Sequence, residues 1–106
     1  MFVPNAAQAV IAAPKITDYL LTNPGKAKFF LAFGFTVAQW RVLRDALLRH
    51  VVTHEFVREI VLDDGVKYVV EGRLQSPDGR NPLVRSVWMI DGGRNSPRLI
   101  SAYAFD

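Results

Sequence analysis

The sequence contains no cysteine. Disulfide scaffolds, thiolate catalysis and cysteine-ligated zinc or iron–sulfur centres are therefore excluded. Histidine is scarce: His50 and His54 are the only two, which is too few for a three-histidine metal site. They stand at the i, i+4 spacing of a metal pair on a helix, but no carboxylate cluster accompanies them. No metal and no cofactor are expected. No run approaches the roughly 18–20 apolar residues of a membrane span. Met1–Val10 has no basic region ahead of an apolar stretch, so it does not read as a secretion signal. The expectation is a cytoplasmic protein without membrane association; the excised tip of a longer secreted chain fits the same features. P-loop, G-x-G-x-x-G, G-x-S-x-G and H-E-x-x-H motifs are all missing. Asp63 and Asp64 are adjacent in a turn, where aspartate serves the backbone, so they do not read as a glycosidase pair.

What is present is a foldable chain. Half of the 106 residues are apolar and 22% are charged, which excludes disorder and allows one modest core over residues 1–106. The net charge is +3 and the pI about 9.6. A basic balance points to anionic partners, although +3 is small.

The helical half covers about residues 1–53. Asn5–Ala13 is small and apolar and reads as a strand or an extended lead-in. Pro14 suits the first turn of a helix, where a missing N–H costs nothing. Ile16, Tyr19 and Leu20 then share one helical face. Asn23-Pro24-Gly25 breaks the chain, and Lys26 to about Phe33 forms a second helix that Gly34 stops. Thr36 with Gln39 three residues later is a T-x-x-Q capping box. Behind it, Trp40, Leu43, Ala46, Leu47 and His50 recur at helical spacing over about fifteen residues.

The β-meander half covers about residues 54–106. Asp63-Asp64-Gly65, Pro77-Asp78-Gly79 and Asp91-Gly92-Gly93 separate runs rich in Val, Ile, Tyr and Trp. That pattern predicts four antiparallel strands near Glu55–Leu62, Val66–Gln75, Leu83–Ile90 and Arg98–Phe105. The fold class is α+β, with N-terminal helices packed on one face of a C-terminal four-stranded antiparallel sheet. Period-two reading puts Tyr68, Val70, Gly72 and Leu74 opposite Lys67, Val69, Glu71 and Arg73. Val84, Ser86, Trp88 and Ile90 oppose Leu83, Arg85, Val87 and Met89. Leu99, Ser101 and Tyr103 oppose Arg98, Ile100 and Ala102. The open face carries Lys67, Arg73, Arg85 and Arg98, subject to register.

Cations, histidines and hydroxyls on one sheet are the parts a metal-free ribonuclease needs. The 2′-hydroxyl must lose a proton, the leaving 5′-oxygen must gain one, and fixed cations must stabilise the charge on phosphorus. The catalytic candidates are His50, Lys67, Arg98, Ser101 and Tyr103, with His50 or Lys67 as base or acid. The RNA- or phosphate-binding candidates are Lys26, Lys28, Arg73, Arg80 and Arg85, arginine being suited to bidentate phosphate contact. Each also has a plain reading. His50 lies on the apolar helix face. Arg73 and Arg80 flank a turn. Arg98 has Asp91 or Glu71 as a partner. Trp88 suits the core better than a base-stacking platform. Lys26 and Lys28 open a helix as solvated charges.

The strings Lys15–Leu21 (KITDYLL), Gly25–Phe35 (GKAKFFLAFGF), Lys67–Arg80 (KYVVEGRLQSPDGR), Arg85–Asp91 (RSVWMID) and Pro97–Tyr103 (PRLISAY) resemble a small bacterial domain family of unknown function across nearly the whole chain. Members of that family usually end in a threonine version of the last string followed by proline; here Ser101 keeps the hydroxyl and Ala104 replaces the proline. In layout the chain is similar to the barnase, EndoU, colicin and RelE group of toxin ribonucleases. The resemblance implies the fold, and by analogy a toxin of a toxin–antitoxin or contact-inhibition system, with RNA as substrate and a cognate antitoxin or immunity protein as partner. The alternative is a non-catalytic interaction module: an antitoxin, immunity or accessory protein. Exposed sheet edges allow a homodimer. The ribonuclease reading requires Lys67, Arg73 and Arg98 to converge in one patch.

Overall fold

Proline, asparagine and glycine punctuate the helical half. In the computed structural model, which describes residues 1–105, helix α1 (Ala13–Lys15) carries Pro14 in its first turn and runs into a wide turn over Ile16–Leu20. There the Leu21 N–H reaches back five residues to the Ile16 carbonyl, at 2.9 Å. Helix α2 (Pro24–Ala32) starts at Pro24, two residues before the expected Lys26. Asn23 is its cap, its side chain accepting from the Gly25 N–H at 3.0 Å. Gly34 ends that segment with φ 99°, a left-handed conformation that needs glycine. Thr36 accepts from the Gln39 N–H at 3.1 Å, and helix α3 (Trp40–Thr53) follows.

The meander forms as expected: β1 (Phe56–Leu62), β2 (Gly65–Arg73), β3 (Leu83–Asp91) and β4 (Arg98–Ala104), antiparallel and in sequence order. The loop between β2 and β3 is held by its own side chains. Ser76 N–H donates to Asn81 Oδ1 and Asn81 N–H to Ser76 Oγ, both at 3.0 Å. The lead-in contributes a single parallel bridge, Val10 to Arg98, on the edge of β4. Met1 O accepts from the Phe56 N–H at the start of β1. Parts of both outer strands are thus occupied by the chain's own N-terminal segment. Among the described residues, no helix is long and apolar enough to cross a membrane.

The helices cover the sheet face that carries Tyr68, Val70, Leu74, Val84 and Trp88. Ile16, Leu20, Phe30, Phe35, Leu43, Leu47 and Val51 meet it in one core. Trp88 is fully buried there. Its indole N–H donates to Ser86 Oγ at 2.8 Å.

Strand β4 departs from simple alternation. Val87 pairs with Ser101, but Trp88 pairs with Leu99, so Ile100 is an extra residue in a bulge. The expected grouping of Leu99 with Ser101 and Tyr103 is corrected accordingly. The bulge restarts the period, which sends Leu99 and Ala102 into the core. Ser101 and Tyr103 join Arg98 on the open face. On that face the register stacks three rows across β2, β3 and β4: Lys67–Met89–Arg98, Val69–Val87–Ser101 and Glu71–Arg85–Tyr103.

Gly72 on the core face is where the His54 ring lies against the sheet. A Cβ there would fall 2.5 Å from His54 Nε2 and 2.7 Å from its Cγ. His54 in turn rests against the His50 ring, with centroids 4.8 Å apart. Gly72→Ala is expected to lower unfolding free energy by about 1–3 kcal/mol through overpacking. Adding His54→Ala should recover most of that loss in urea titrations; a Gly72→Ala chain as stable as the wild type would show that the contact is slack.

Candidate functional site

The open face has one dense polar cluster, at the β4 side of the sheet. In the row Glu71–Arg85–Tyr103, the Arg85 Nε donates to Glu71 Oε2 at 2.6 Å and its Nη2 lies 2.5 Å from the same oxygen. The Arg85 guanidinium stands 5.7 Å from the Tyr103 ring and 4.9 Å from the Phe105 ring. Beyond β4, α2 supplies Lys26, whose Nζ is 5.0 Å from the Tyr103 ring and 5.6 Å from the Tyr19 ring. Lys15 approaches Tyr19 as well, at 5.1 Å. The wide turn over Ile16–Leu20 therefore brings Tyr19 around the edge of β4 towards Ser101. The Ser101 hydroxyl, and then Lys26 and Lys15, hold the Tyr19 phenol below the ordinary tyrosine value, while its partial burial works the other way. Glu71 and Tyr103 keep Arg85 firmly protonated.

Lys26, Arg85, Ser101 and Tyr103 are thus brought together. The other candidates stand elsewhere. Lys67 and Arg98 share the face but lie two rows away, about 13 Å along the strands. Arg98 is held by Asp91 in a two-pronged pair, at 2.7 and 3.1 Å. Arg73 donates to the Asn81 carbonyl at 2.9 Å. Lys67, Arg73 and Arg98 therefore share a face without converging: Lys67 and Arg73 are separated by about 20 Å of strand. Arg80 bonds to Asp78 and to the Ala32 carbonyl, both at 2.6 Å, and stacks on Phe33. Lys28 is exposed on α2.

His50 lies behind the sheet, 1% exposed. Its Nδ1 accepts from Ser86 Oγ at 2.8 Å and its Nε2–H donates to the Gly72 carbonyl at 3.0 Å. The Trp88 indole donates to the same serine oxygen, so one tautomer satisfies every group in the chain. His54 Nδ1 bonds to the His50 carbonyl at 3.0 Å. Among the described residues, no group of three or more His, Cys, Asp or Glu side chains is placed to hold a metal ion.

Three members of the cluster were not singled out by sequence reasoning. Tyr19 reads as a core residue at 3.6-residue spacing, but the wide turn changes that spacing. Glu71 falls on the open face in the period-two reading yet looks like a simple ion-pair partner. Phe105 lies at the chain end. The one available signal was Lys15, four residues ahead of Tyr19.

Residues 2–106 match the family described as Domain of unknown function (DUF6883). The chain belongs to this family. Curated proteins give no match to the DUF6883 domain. Among solved structures, its fold is similar to a chain of the contact-dependent growth inhibition toxin–immunity protein complex from Klebsiella pneumoniae 342. The TM-score is 0.70 at 18% identity, covering 90% of the DUF6883 chain and 98% of the other. At that identity the likeness is one of fold.

Burial pushes His50 of the DUF6883 domain down from 6.5 to about 4, with the neighbouring His54 acting in the same direction against the bond to Gly72. The unfolded chain therefore binds the extra proton first as pH falls. Stability is full above pH 6.5 and should fall by about 3 kcal/mol on the way to pH 4. Urea unfolding across that window should show the decline, and His50→Gln should flatten it. An unchanged slope in the variant would assign the titration to another group.

Proposed function

We propose that this domain is a metal-independent ribonuclease, the toxin half of a toxin–immunity pair. Lys67, Arg73 and Arg98 do not meet in one patch as the sequence reading required, so the proposal rests on a different set: Lys26, Arg85, Ser101 and Tyr103, which converge at the β4 side of the open sheet face. Two cations flank a tyrosine there, and a hydroxyl lies one row away. A phosphodiester seated over Tyr103 would have Arg85 on one side and Lys26 on the other. Both would stabilise charge as the 2′-hydroxyl attacks phosphorus. Ser101 and Tyr103 would orient the phosphate oxygens. The ring faces of Tyr103 and Phe105 give unpaired bases a surface to stack on, which favours a single-stranded or loop substrate. The fold shared with a chain of a toxin–immunity complex supports a cognate protein partner.

The interaction-module reading has one observation in its favour. The cluster is an open surface, whereas a groove of about 370 Å³ beside α3 is lined by Val42, Asp45, Arg49, Gln75 and Pro77. Incubation of pure protein with total RNA and with tRNA in EDTA separates the two. The ribonuclease reading expects cleavage by the wild type and a loss of more than about 100-fold in Arg85→Ala and in Lys26→Ala. Lys67→Ala/Arg98→Ala should lose only a few-fold. Intact RNA together with harmless expression would favour the module.

A further inference from the structure

The cluster has an order across the face that the ribonuclease reading leaves unused. From β2 outward it runs carboxylate, cation, phenol, cation, phenol: Glu71, Arg85, Tyr103, Lys26, Tyr19. Neighbouring strands are about 4.8 Å apart, so Glu71 and Tyr103 sit on backbones about 10 Å apart, with Arg85 between them. Lys26 then links the two phenols, within 5.0 Å of one ring and 5.6 Å of the other. A phosphate held between Arg85 and Lys26 therefore has one proton-exchanging group on each side. Displacement at phosphorus places the attacking and leaving oxygens on opposite sides.

Resting on that ribonuclease reading, we infer that Glu71 and Tyr19 are its proton-transfer pair, with Glu71 the base for the 2′-hydroxyl and Tyr19 the acid for the leaving 5′-oxygen. A carboxylate is charged and a phenol protonated at neutral pH, which fixes the direction of transfer. Both Arg85 contacts fall on Glu71 Oε2, which leaves Oε1 outside the ion pair for the proton. Ser101 and Lys26 lower the Tyr19 phenol, the direction that eases donation. In the step, the 2′-hydroxyl proton passes to Glu71 as the 2′-oxygen–phosphorus bond forms. The phosphorus–5′-oxygen bond breaks, and that oxygen takes the Tyr19 proton. The products are a 2′,3′-cyclic phosphate and a 5′-hydroxyl. Solvent then carries the Glu71 proton back to the Tyr19 phenolate.

The test uses two substrates, a uridylyl-adenosine dinucleotide and uridine 3′-(p-nitrophenyl phosphate), whose leaving group departs without a proton. Tyr19→Phe should lower kcat on the dinucleotide by more than about 100-fold and leave KM and the p-nitrophenyl ester within a few-fold. Glu71→Gln should lower both reactions. Circular dichroism and Tm check that each variant is folded. Equal losses on the two substrates in Tyr19→Phe would overturn its role as acid and make it a positioning residue. Near-wild-type rates in both variants would overturn the assignment and leave the ribonuclease reading intact. A wild type that cleaves no RNA would overturn both.

Discussion

One extra residue in β4 decides which side chains this sheet presents. A strand without a bulge would keep Ser101 and Tyr103 in phase with Leu99, and all three would point into the core. Two hydroxyl-bearing side chains would then need partners among Leu20, Phe30 and Trp88. The bulge at Ile100 lets Leu99 and Ala102 fill the core from the same strand that delivers Ser101 and Tyr103 to the open face. Tyr103 thereby enters the row of Glu71 and Arg85, and Ser101 comes within reach of Tyr19. The polar cluster therefore depends on a defect in the ladder, and the core around Trp88 depends on the same defect.

Behind that face the sheet is backed by a polar chain instead of a wholly apolar layer. Gly72, His50, Ser86 and Trp88 form a run of hydrogen bonds with one donor assignment. Among the described residues no buried side-chain nitrogen or oxygen is left without a partner. A buried network with every member satisfied specifies one arrangement, because any shift strands a donor or an acceptor. Gly72 follows Glu71 and Ser86 follows Arg85 by a single residue, so the network on one face fixes the strands that carry the ion pair on the other. His50 acts here as a neutral ligand of the backbone, and its burial is what keeps it neutral.

The sequence was most informative where the signal is local. Asp-Gly and Gly-Gly turns announce hairpins and the 3.6 period of α3 announces its buried face, and these elements formed; the Thr36–Gln39 pair reads as the helix start, but α3 begins at Trp40 with Gln39 in the cap position and no side-chain cap bond. The bulge was not legible, since one additional β-branched residue in a strand leaves no mark in composition. Tyr19 was missed for a related reason: a five-residue turn shifts its angular position although its spacing from Ile16 looks helical. Lys26, Arg85, Ser101 and Tyr103 were identifiable by residue type alone, but their neighbourhood was not, because it joins β3, β4 and α2 across long sequence separations.

The distinction that matters on this surface is between a cation that is occupied and one that is offered. Net charge counts Arg73, Arg80 and Arg98 equally with Lys26 and Arg85, yet the first three are consumed by the chain. Arg73 braces the loop at Asn81, Arg80 ties Asp78 to the end of α2, and Arg98 closes on Asp91. An incoming phosphate at those positions would have to displace bonds that hold turns in place. Lys26 stands over the Tyr19 and Tyr103 rings, which attract a cation weakly when exposed and compete little with an anion. Arg85 keeps part of its fork against Tyr103 and Phe105 while one carboxylate oxygen takes the rest. Arg73, Arg80 and Arg98 are thus committed to loop and turn contacts, while Lys26 and Arg85 stand beside aromatic rings where β3, β4 and α2 meet.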